Sequence, residues 1–385
     1  MRLAERMSRL GTETAFEVLA KAKALEAEGK EIIHLEIGEP DFDTPEHIKE
    51  AAIKALRDGK TGYCPAPGIR ELREVIAADV GARRGLSVSP EEVVVTPGAK
   101  PIMYFVITAL VDPGDEVLYP NPGFPIYESV INFVGGKAVP MPLREERNFS
   151  FDVDEFRALV TDRTKLIIIN SPQNPTGGVL SQHDLEVIAE VANERNIFIL
   201  SDEVYNNILY EGTFASIATL PGMRARTVIL DGLSKTYAMT GWRLGYGVMP
   251  RELARHVERL TINTVSCTSH FSQYGAIAAI TGPQEPVAAM VAEFRRRRDF
   301  IVDGLNRIKG VKCVQPQGAF YAFPNITGTG IGSKELERRL LEEAGVATLS
   351  GTAFGRYGDG YLRLSYANSL ENIRKALERF AALVA

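Results

Sequence analysis

The sequence predicts an α/β protein with a large, mostly parallel sheet covered by helices and a smaller α+β part. Between residues 93 and 230, short apolar runs alternate with helical segments, and runs such as Lys165–Asn170 are apolar almost throughout. Such runs are typical of strands buried on both faces. After Pro283 long amphipathic helices follow instead. We expect residues 1–45 to form an N-terminal arm and part of the small domain, 46–282 the large domain, and 283–385 the small C-terminal domain.

Before the alternating region the sequence predicts three helices, over 15–29, 45–56 and 69–84, and one strand over 31–37. Gly29 is a typical residue just beyond a helix end, and the second helix is expected to have Thr44 as its N-cap and Pro45 at its first position. The segment from Tyr63 to Gly68 contains two prolines and a glycine. It is therefore expected to be irregular.

In the alternating region the predicted strands are 93–96, 115–119, 165–170, 198–200 and 227–230. Each is followed by a loop rich in glycine, proline or polar residues. In parallel sheets, ligands bind at the carboxyl ends of the strands. The loops that contain Gly98, Phe124, Asn174, Asp202 and Lys235 should therefore lie along one edge of the sheet.

The last hundred residues predict a helix over 287–308, strands over 318–323 and 361–366, and a closing helix over 370–383. The first of these helices contains four consecutive arginines, Arg295–Arg298, which we interpret as a solvated face rather than a phosphate site. The glycine-rich segment 327–334 does not match a phosphate loop, because its order is Gly-Ser-Lys. We interpret it as a connector.

Composition excludes several classes of protein. The 385 residues are 45% hydrophobic and 24% charged, as in an ordinary globular protein, and the net charge of −5 argues against a nucleic-acid partner. The three cysteines are far apart and predict neither a disulfide framework nor a metal site. No apolar run approaches the roughly 18 residues of a membrane span, and the charged N-terminus does not resemble a signal peptide. We expect a cytoplasmic protein.

One lysine stands out for its chemistry. Lys235 follows the apolar run Thr227–Leu230 in a segment expected to be a turn, and Arg243 follows eight residues later between two glycines. A buried ammonium group needs a partner or a lowered pKa, and a lysine with a lowered pKa can form a Schiff base at neutral pH. The alternative for Lys235 alone is a solvated surface loop.

Further motifs accompany this lysine in a fixed order along nearly the whole chain. They are Gly38-Glu-Pro-Asp-Phe42, Tyr63-x-x-x-x-Gly68, Pro97-Gly-x-Lys100, Ser171-Pro-x-Asn174-Pro-Thr-Gly177, Ser201-Asp202-Glu-x-Tyr205, Ser234-Lys235 through Gly241-x-Arg243-x-Gly245, and Arg363-Leu-Ser365. Together these motifs resemble the fold-type I pyridoxal 5′-phosphate (PLP) enzymes, and among them the class I aminotransferases of the bacterial and archaeal aspartate/aromatic type.

The resemblance implies the catalytic roles. Lys235 would hold PLP as an aldimine and, once freed by substrate, would carry a proton between the substrate Cα and the cofactor. Asp202 would pair with the pyridine nitrogen, and Tyr205 and Asn174 would donate hydrogen bonds to the 3′-oxygen of the ring. A helix N-cap is the structural alternative for Asp202, and core packing is the alternative for Tyr205.

The resemblance also implies a phosphate site. Gly98, Ala99 and Lys100 begin a helix directly after a strand, so that their backbone N–H groups would face the phosphate. Arg243 would add a bidentate contact. The family commonly has a serine where this chain has Gly232, which removes one phosphate contact from the pattern.

Other positions complete the implied site. Ser234 is a possible substitute for the missing serine. Phe124 would stack on the cofactor ring, with core packing as its alternative. Tyr63 resembles the tyrosine that reaches the phosphate of the neighbouring subunit in a homodimer, although it could instead pack within its own chain.

For the substrate, the resemblance implies that Arg363 grips the α-carboxylate with help from Asn174 and the backbone of Gly38. The expected reaction moves the amino group of an L-amino acid (aspartate, alanine or aromatic) to a 2-oxo acid such as 2-oxoglutarate. The preferred donor stays open. A PLP-dependent lyase of the same fold and a binding module without activity are the alternatives.

Overall fold

The computed structural model describes residues 1–385 and contains one large sheet and two small ones among thirteen α-helices. The helices are α1 (Thr14–Ala27), α2 (Glu46–Arg57), α3 (Arg70–Arg84), α4 (Lys100–Leu110), α5 (Ile126–Val134), α6 (Val153–Leu159), α7 (Gln182–Arg195), α8 (Leu233–Thr236), α9 (Arg251–Thr264), α10 (His270–Thr281), α11 (Glu285–Asn306), α12 (Ser333–Glu342) and α13 (Leu370–Val384). None of them is both long enough and apolar enough to cross a membrane.

The strands are β1 (Ile33–His34), β2 (Val93–Thr96), β3 (Glu116–Asn121), β4 (Lys137–Arg144), β5 (Ser150–Phe151), β6 (Thr164–Asn170), β7 (Phe198–Asp202), β8 (Thr227–Gly232), β9 (Gly245–Val248), β10 (Tyr321–Ala322), β11 (Val346–Ala347), β12 (Leu349–Ser350) and β13 (Leu362–Ser365). The large sheet has the order β2-β9-β8-β7-β6-β3-β4-β5. Within this order the five strands β8, β7, β6, β3 and β4 are each parallel to the next, whereas β9 is antiparallel to both β2 and β8. The mostly parallel α/β sheet predicted from the sequence is confirmed.

The central strands are apolar because both faces of the sheet are covered. In β6, Leu166 and Ile168 belong to the core that includes helices α4, α5 and α9, whereas Ile167 and Ile169 belong to the core that includes α7. Successive side chains of a strand point to opposite faces. A strand covered on both sides therefore needs apolar residues at every position.

Strand register decides which loops meet. Asn170 at the end of β6 pairs with Asp202 at the end of β7, and Asp202 pairs with Leu230 of β8. The polar residues that follow these strands consequently lie side by side at one edge of the sheet. This is the edge at which the sequence predicted the ligand site.

The C-terminal region forms a second core. Strands β10, β13 and β12 make an antiparallel sheet, and β1 from the N-terminal region pairs in parallel with β11. Leu35, Phe294, Leu336 and Phe380 are fully buried in this core, which lies among α11, α12 and α13. The N-terminal and C-terminal segments thus pack together.

Strand β9 was not expected from the sequence. Its residues include Gly245 and Gly247, and glycine has a low β-propensity. The structure needs glycine at 245, because a Cβ there would overlap with the backbone of Ala99. The predicted strands over 31–37 and 318–323 are real but pair over only two residues each.

Two helix details also differ from expectation. The prediction of Thr44 as the N-cap of α2 is wrong, because the capping position is Pro45. The Thr44 hydroxyl instead donates to the carbonyl of Ala238 at 2.6 Å and accepts from the indole N–H of Trp242 at 3.0 Å. Lys235 lies in the short helix α8 rather than in an irregular turn.

The four arginines of α11 do not share one solvated face. Arg295 and Arg296 are exposed, but Arg297 and Arg298 are buried, and for these two the prediction is wrong. Arg297 donates to Asp41 at 2.7 Å, and Arg298 donates to a backbone carbonyl and lies over an aromatic ring. Consecutive residues of an α-helix are about 100° apart, so four of them cannot all face solvent on a packed helix.

Candidate active site

A cavity of about 520 Å³ opens at the carboxyl ends of the parallel strands. Except for Gly98 and Tyr63, every predicted site residue lines it. These residues are Gly38, Ala99, Lys100, Phe124, Asn174, Asp202, Tyr205, Ser234, Lys235, Arg243 and Arg363. The size is within the range of cavities that hold small ligands.

The amine of Lys235 faces this cavity from helix α8. Its Nζ donates a hydrogen bond to the carbonyl oxygen of Gly38 at 2.5 Å. The side chain keeps some exposure through the cavity, but protein atoms desolvate the amine and lower its pKa to about 8, with Arg363 and Arg243 acting in the same direction. With this pKa about a tenth of Lys235 is uncharged at pH 7, far more than for an ordinary lysine, and a nucleophilic or proton-accepting amine requires that uncharged form.

Asp202 is the last residue of β7 and is buried. Its Oδ2 accepts a hydrogen bond from the Tyr127 hydroxyl at 2.5 Å, and its Oδ1 accepts one from the Val204 N–H at 3.3 Å. Burial raises the pKa of Asp202 to about 6, against the effect of the Tyr127 hydrogen bond. A buried carboxylate of this kind is suited to hold a cationic N–H group in the cavity.

Tyr127 was missed in the sequence. It lies three residues after Phe124 in the first turn of α5, and the two rings contact edge to face with centroids 5.6 Å apart. Phe124 lies just before the helix, and the Tyr127 N–H donates to the Phe124 carbonyl at 3.2 Å in a turn that brings the two residues together. That spacing is the signal that could have indicated Tyr127.

Arg363 of β13 brings a buried cation to the other side of the cavity. Its guanidinium lies over the ring of Tyr321 at 4.6 Å and over that of Phe354 at 4.9 Å. Nη1 donates to Oδ1 of Asn174 at 3.1 Å, and Nη2 donates to the carbonyl of Glu36. The Nε atom is buried without a hydrogen-bond partner, which leaves a donor for an anionic ligand.

Tyr205 forms a hydrogen-bonded pair with a second tyrosine. Its hydroxyl lies 2.7 Å from that of Tyr321, another cavity residue that sequence reasoning did not find. Tyr321 also explains the glycine at position 38, since a Cβ there would overlap with the Tyr321 hydroxyl. The tyrosine pair therefore closes one wall of the cavity against the Gly38 backbone.

Gly98 and Arg243 form one unit at the start of α4. Gly98 has φ of 87°, and a Cβ at this position would overlap with the guanidinium of Arg243. The N-cap of α4 is Ala99, and no side chain caps the first turn. The uncapped N–H groups of this helix and the adjacent guanidinium make an anion site.

The side chain of Lys100 is occupied elsewhere. Its ammonium forms an ion pair with Glu13 and lies 5.4 Å from the ring centroid of Phe124. Only the backbone of Lys100 belongs to the start of α4 in the predicted way. Glu13 comes from the N-terminal segment and also lines the cavity.

The remaining predicted positions are less central. Tyr63 is 90% exposed and lies outside the cavity of its own chain. Gly232, the departure from the family pattern, ends β8 with extended backbone, and Ser234 lines the cavity two residues later. No group of three or more His, Cys, Asp or Glu side chains is arranged to hold a metal ion.

The model of the family "Aminotransferase class I and II" matches residues 30–380. The chain belongs to the class I and II aminotransferases. It is 43% identical to the probable aspartate/prephenate aminotransferase of Aquifex aeolicus over 98% of this chain and 97% of that protein. It is also 43% identical to aromatic-amino-acid aminotransferase 2 of Thermococcus litoralis over 90% of both chains.

The solved structure of an alanine aminotransferase from Pyrococcus furiosus superposes with a TM-score of 0.94 and 36% identity, covering 100% of this chain and 99% of that one. The fold is thus that of fold-type I PLP enzymes, and this aminotransferase is a PLP-dependent enzyme that transfers an amino group. The comparisons give no support to the lyase alternative.

The cavity of this aminotransferase fits PLP. A buried acid (Asp202) and an anion site (Gly98 with Arg243) lie in the same cavity system as an amine of lowered pKa, Lys235. PLP carries a ring nitrogen, a phosphate and an aldehyde, and each has a chemically matching group here. The buried Nε of Arg363 leaves one further anion donor, which the cofactor does not require.

Proposed function

We propose that this aminotransferase moves the amino group of an L-amino acid, namely aspartate, alanine or an aromatic one, to a 2-oxo acid such as 2-oxoglutarate. The observation that carries the proposal is the meeting of Lys235, Asp202 and Arg363 in one cavity. Amino acids and 2-oxo acids share a carboxylate next to the reacting carbon. A single carboxylate grip therefore serves both halves of the reaction.

Arg363 supplies that grip. Its buried guanidinium is held by Asn174 and the carbonyl of Glu36, and its Nε has no protein partner. An arginine fork recognises a planar carboxylate better than a point charge does. Asn174 and the backbone at Gly38 flank the same space and would orient the substrate.

Lys235 moves the proton. With a pKa of about 8, its Nζ can accept the proton from the substrate Cα and release it again near neutral pH. The Gly38 carbonyl holds Nζ at 2.5 Å, so the amine is oriented within the cavity. Bound PLP would supply an electron sink that makes the Cα proton acidic.

Asp202 would hold the protonated ring nitrogen of PLP, and Tyr127 would fix the carboxylate for this task. The N–H groups of Gly98, Ala99 and Lys100, together with Arg243 and Ser234, would hold the phosphate. Phe124, Tyr205 and Asn174 would contact the ring. These assignments agree with the positions of the side chains around the cavity.

The names of relatives support the range of donors, since aspartate/prephenate, aromatic and alanine aminotransferases are all similar to this chain. The structure adds that Lys100, whose ammonium lies 5.4 Å from the ring centroid of Phe124, is paired with Glu13. A donor with a negative side chain would have to compete for that cation. Aspartate is therefore one donor among several.

We further propose a homodimer in which Tyr63 reaches the phosphate of the neighbouring subunit. Its 90% exposure supports this, because a large aromatic side chain is seldom left so exposed. The division into residues 1–45, 46–282 and 283–385 is supported by the pairing of β1 with β11 and by the start of α11 at Glu285.

We also propose that the protein is located in the cytoplasm. All three cysteines are free thiols, and Cys313 is buried. Free thiols are typical of a reducing compartment. Fractionation of cells that produce the protein would test the location.

One experiment tests the function as a whole. The purified protein is mixed in turn with each of the twenty amino acids while the visible absorbance of bound PLP is followed. Donors should remove the absorbance, and 2-oxoglutarate should restore it. Release of ammonia or pyruvate without an acceptor would indicate a lyase, and a colourless protein that takes up no PLP would refute the proposal.

A further inference from the structure

A cluster of buried charge lies beside the cavity and has no part in the function proposed above. Arg84, near the end of α3, donates from Nε and Nη2 to Oε2 of Glu203 at 2.9 and 2.6 Å. The same Nη2 lies 3.4 Å from Oδ2 of Asp231. All three residues are buried, Arg84 with 9% exposure and the two acids with 2% or less.

Both acids have further donors. Oε1 of Glu203 accepts from the hydroxyls of Ser201 at 2.9 Å and Ser216 at 2.6 Å. Oδ2 of Asp231 accepts from the amide of Asn206 at 2.8 Å and from the hydroxyl of Tyr246 at 3.1 Å. Burial raises the pKa of Asp231, and the positive charges of Arg83 and Arg84 act against that effect.

These two carboxylates flank Asp202. Glu203 is the next residue along the chain, and its N–H donates to the carbonyl of Leu230 at 2.8 Å. Leu230 is the register partner of Asp202 in β8, and Asp231 follows it. Three buried carboxylates therefore lie at the ends of two neighbouring strands.

Charge around Asp202 comes from several elements. Burial raises its pKa, and the negative charges of Asp231 and Glu203 act in the same direction. The groups that face it or share its surroundings are Tyr127 from α5, Glu203 and Tyr205 from its own turn, Asp231 from β8, Lys235 from α8 and Arg363 from β13. Neither Lys235 nor Arg363 forms an ion pair with Glu203 or Asp231, whereas Arg84 pairs with both.

We infer that Arg84 is a positioning residue for amino transfer: it offsets the negative charge of Glu203 and part of that of Asp231 and thereby keeps Asp202 ionised at the ring nitrogen of the cofactor. The inference rests on the proposed function, in which Asp202 holds that nitrogen. Arg83, which lies 3.8 Å from Asp231, is partly exposed and assists. Without Arg84, the two buried negative charges would favour the protonated form of Asp202.

The test measures the affinity of the protein for PLP between pH 5 and pH 8. In the native protein the affinity should fall on the acid side as Asp202 becomes protonated. In Arg84→Met the midpoint of this fall should move upward by about one pH unit, the size expected for the loss of a close opposite charge. Arg296→Met removes an exposed arginine that pairs only with Glu293, and its midpoint should stay in place.

Variants of the two acids predict the opposite sign. Glu203→Gln and Asp231→Asn each remove a negative charge and keep the shape, so their midpoints should fall below that of the native protein. Arg84→Lys keeps the charge, and its midpoint should stay within about 0.3 pH units of the native one. If Arg84→Met does not fold, the two acid variants still decide the sign.

The possible results distinguish a failure of the proposed function from a failure of this inference. A native protein that binds no PLP at any pH refutes the proposed function and this inference with it. Native binding with an unmoved midpoint in folded Arg84→Met, or an upward shift in Asp231→Asn, refutes the inference alone. A merely structural role of Arg84 would lower the melting temperature without moving the midpoint.

Discussion

Replacing Arg363 by alanine tests the carboxylate grip most directly. The change removes a buried guanidinium whose Nε has no protein partner, and it leaves the carbonyl of Glu36 and Oδ1 of Asn174 without their donor. Truncating one partner of a buried, hydrogen-bonded charge pair costs about 2–5 kcal/mol. Such a loss corresponds to a roughly 30-fold to 5000-fold fall in kcat/KM.

The fall should be alike for aspartate, alanine and phenylalanine, because Arg363 would contact the carboxylate that all three share. Single-turnover loss of the PLP absorbance gives the rate and the apparent affinity for each donor. Arg363→Lys should recover part of the loss, since lysine keeps the charge but lacks the planar fork. Arg298→Ala is the matched control: it removes a buried arginine that lies over Tyr210, away from the cavity.

Two results would contradict the reasoning. A loss confined to aspartate would mean that Arg363 reads a side chain rather than the shared carboxylate. A loss of less than about threefold, with the protein folded, would mean that the carboxylate binds elsewhere. An equal loss in Arg298→Ala would show that the effect comes from the fold and not from the site.

Three further predictions concern the cofactor side. Lys235→Ala should abolish turnover with every donor, measured with a coupled assay for the 2-oxo product; retained turnover would remove Lys235 from the chemistry. Asp202→Asn should raise the melting temperature of the cofactor-free protein more at pH 8 than at pH 5. Burial raises the pKa of Asp202 to about 6 in the native state, so the native state loses stability as the pH rises from the ordinary pKa of an aspartate toward 6. The asparagine variant does not share this loss. An equal change at both pH values would contradict that cause. Gly98→Ala should weaken PLP binding at least tenfold in a fluorescence titration, because its Cβ would meet the Arg243 guanidinium, whereas Gly330→Ala, with a similar φ of 74° but open space, should not.

The edge of the sheet was predictable because it depends on local patterns alone. An apolar run such as that of β6, ended by a polar loop, predicts a buried parallel strand and the side on which its loop emerges. Register then brings Asn170, Asp202 and Leu230 into line without further information. For this reason the cavity contains Asn174, Asp202 and Lys235 together, as expected.

The contact partners of these residues could not be predicted from the sequence. Tyr321 meets Tyr205 across 116 positions of sequence, and Glu36 meets Arg363 across 327. No periodicity of a strand or helix encodes such contacts, because they arise only when the C-terminal core packs on the large sheet. Buried arginines follow the same logic: Arg297 is indistinguishable from Arg296 until the packing of α11 decides which side faces the interior.

Asp231 shows most clearly that a residue's surroundings cannot be predicted from the sequence near it. It stands four residues before Lys235, and in the sequence it looks like an ordinary polar residue at the end of a strand. Only the position of α3 explains it, since Arg84 lies 119 positions before Glu203 and 147 before Asp231, yet contacts both. A buried acid beside Asp202 would weaken the hold on a cationic ring nitrogen unless a buried base compensated for it. The charge of the active site is therefore set partly by a helix that contributes nothing to the lining of the cavity.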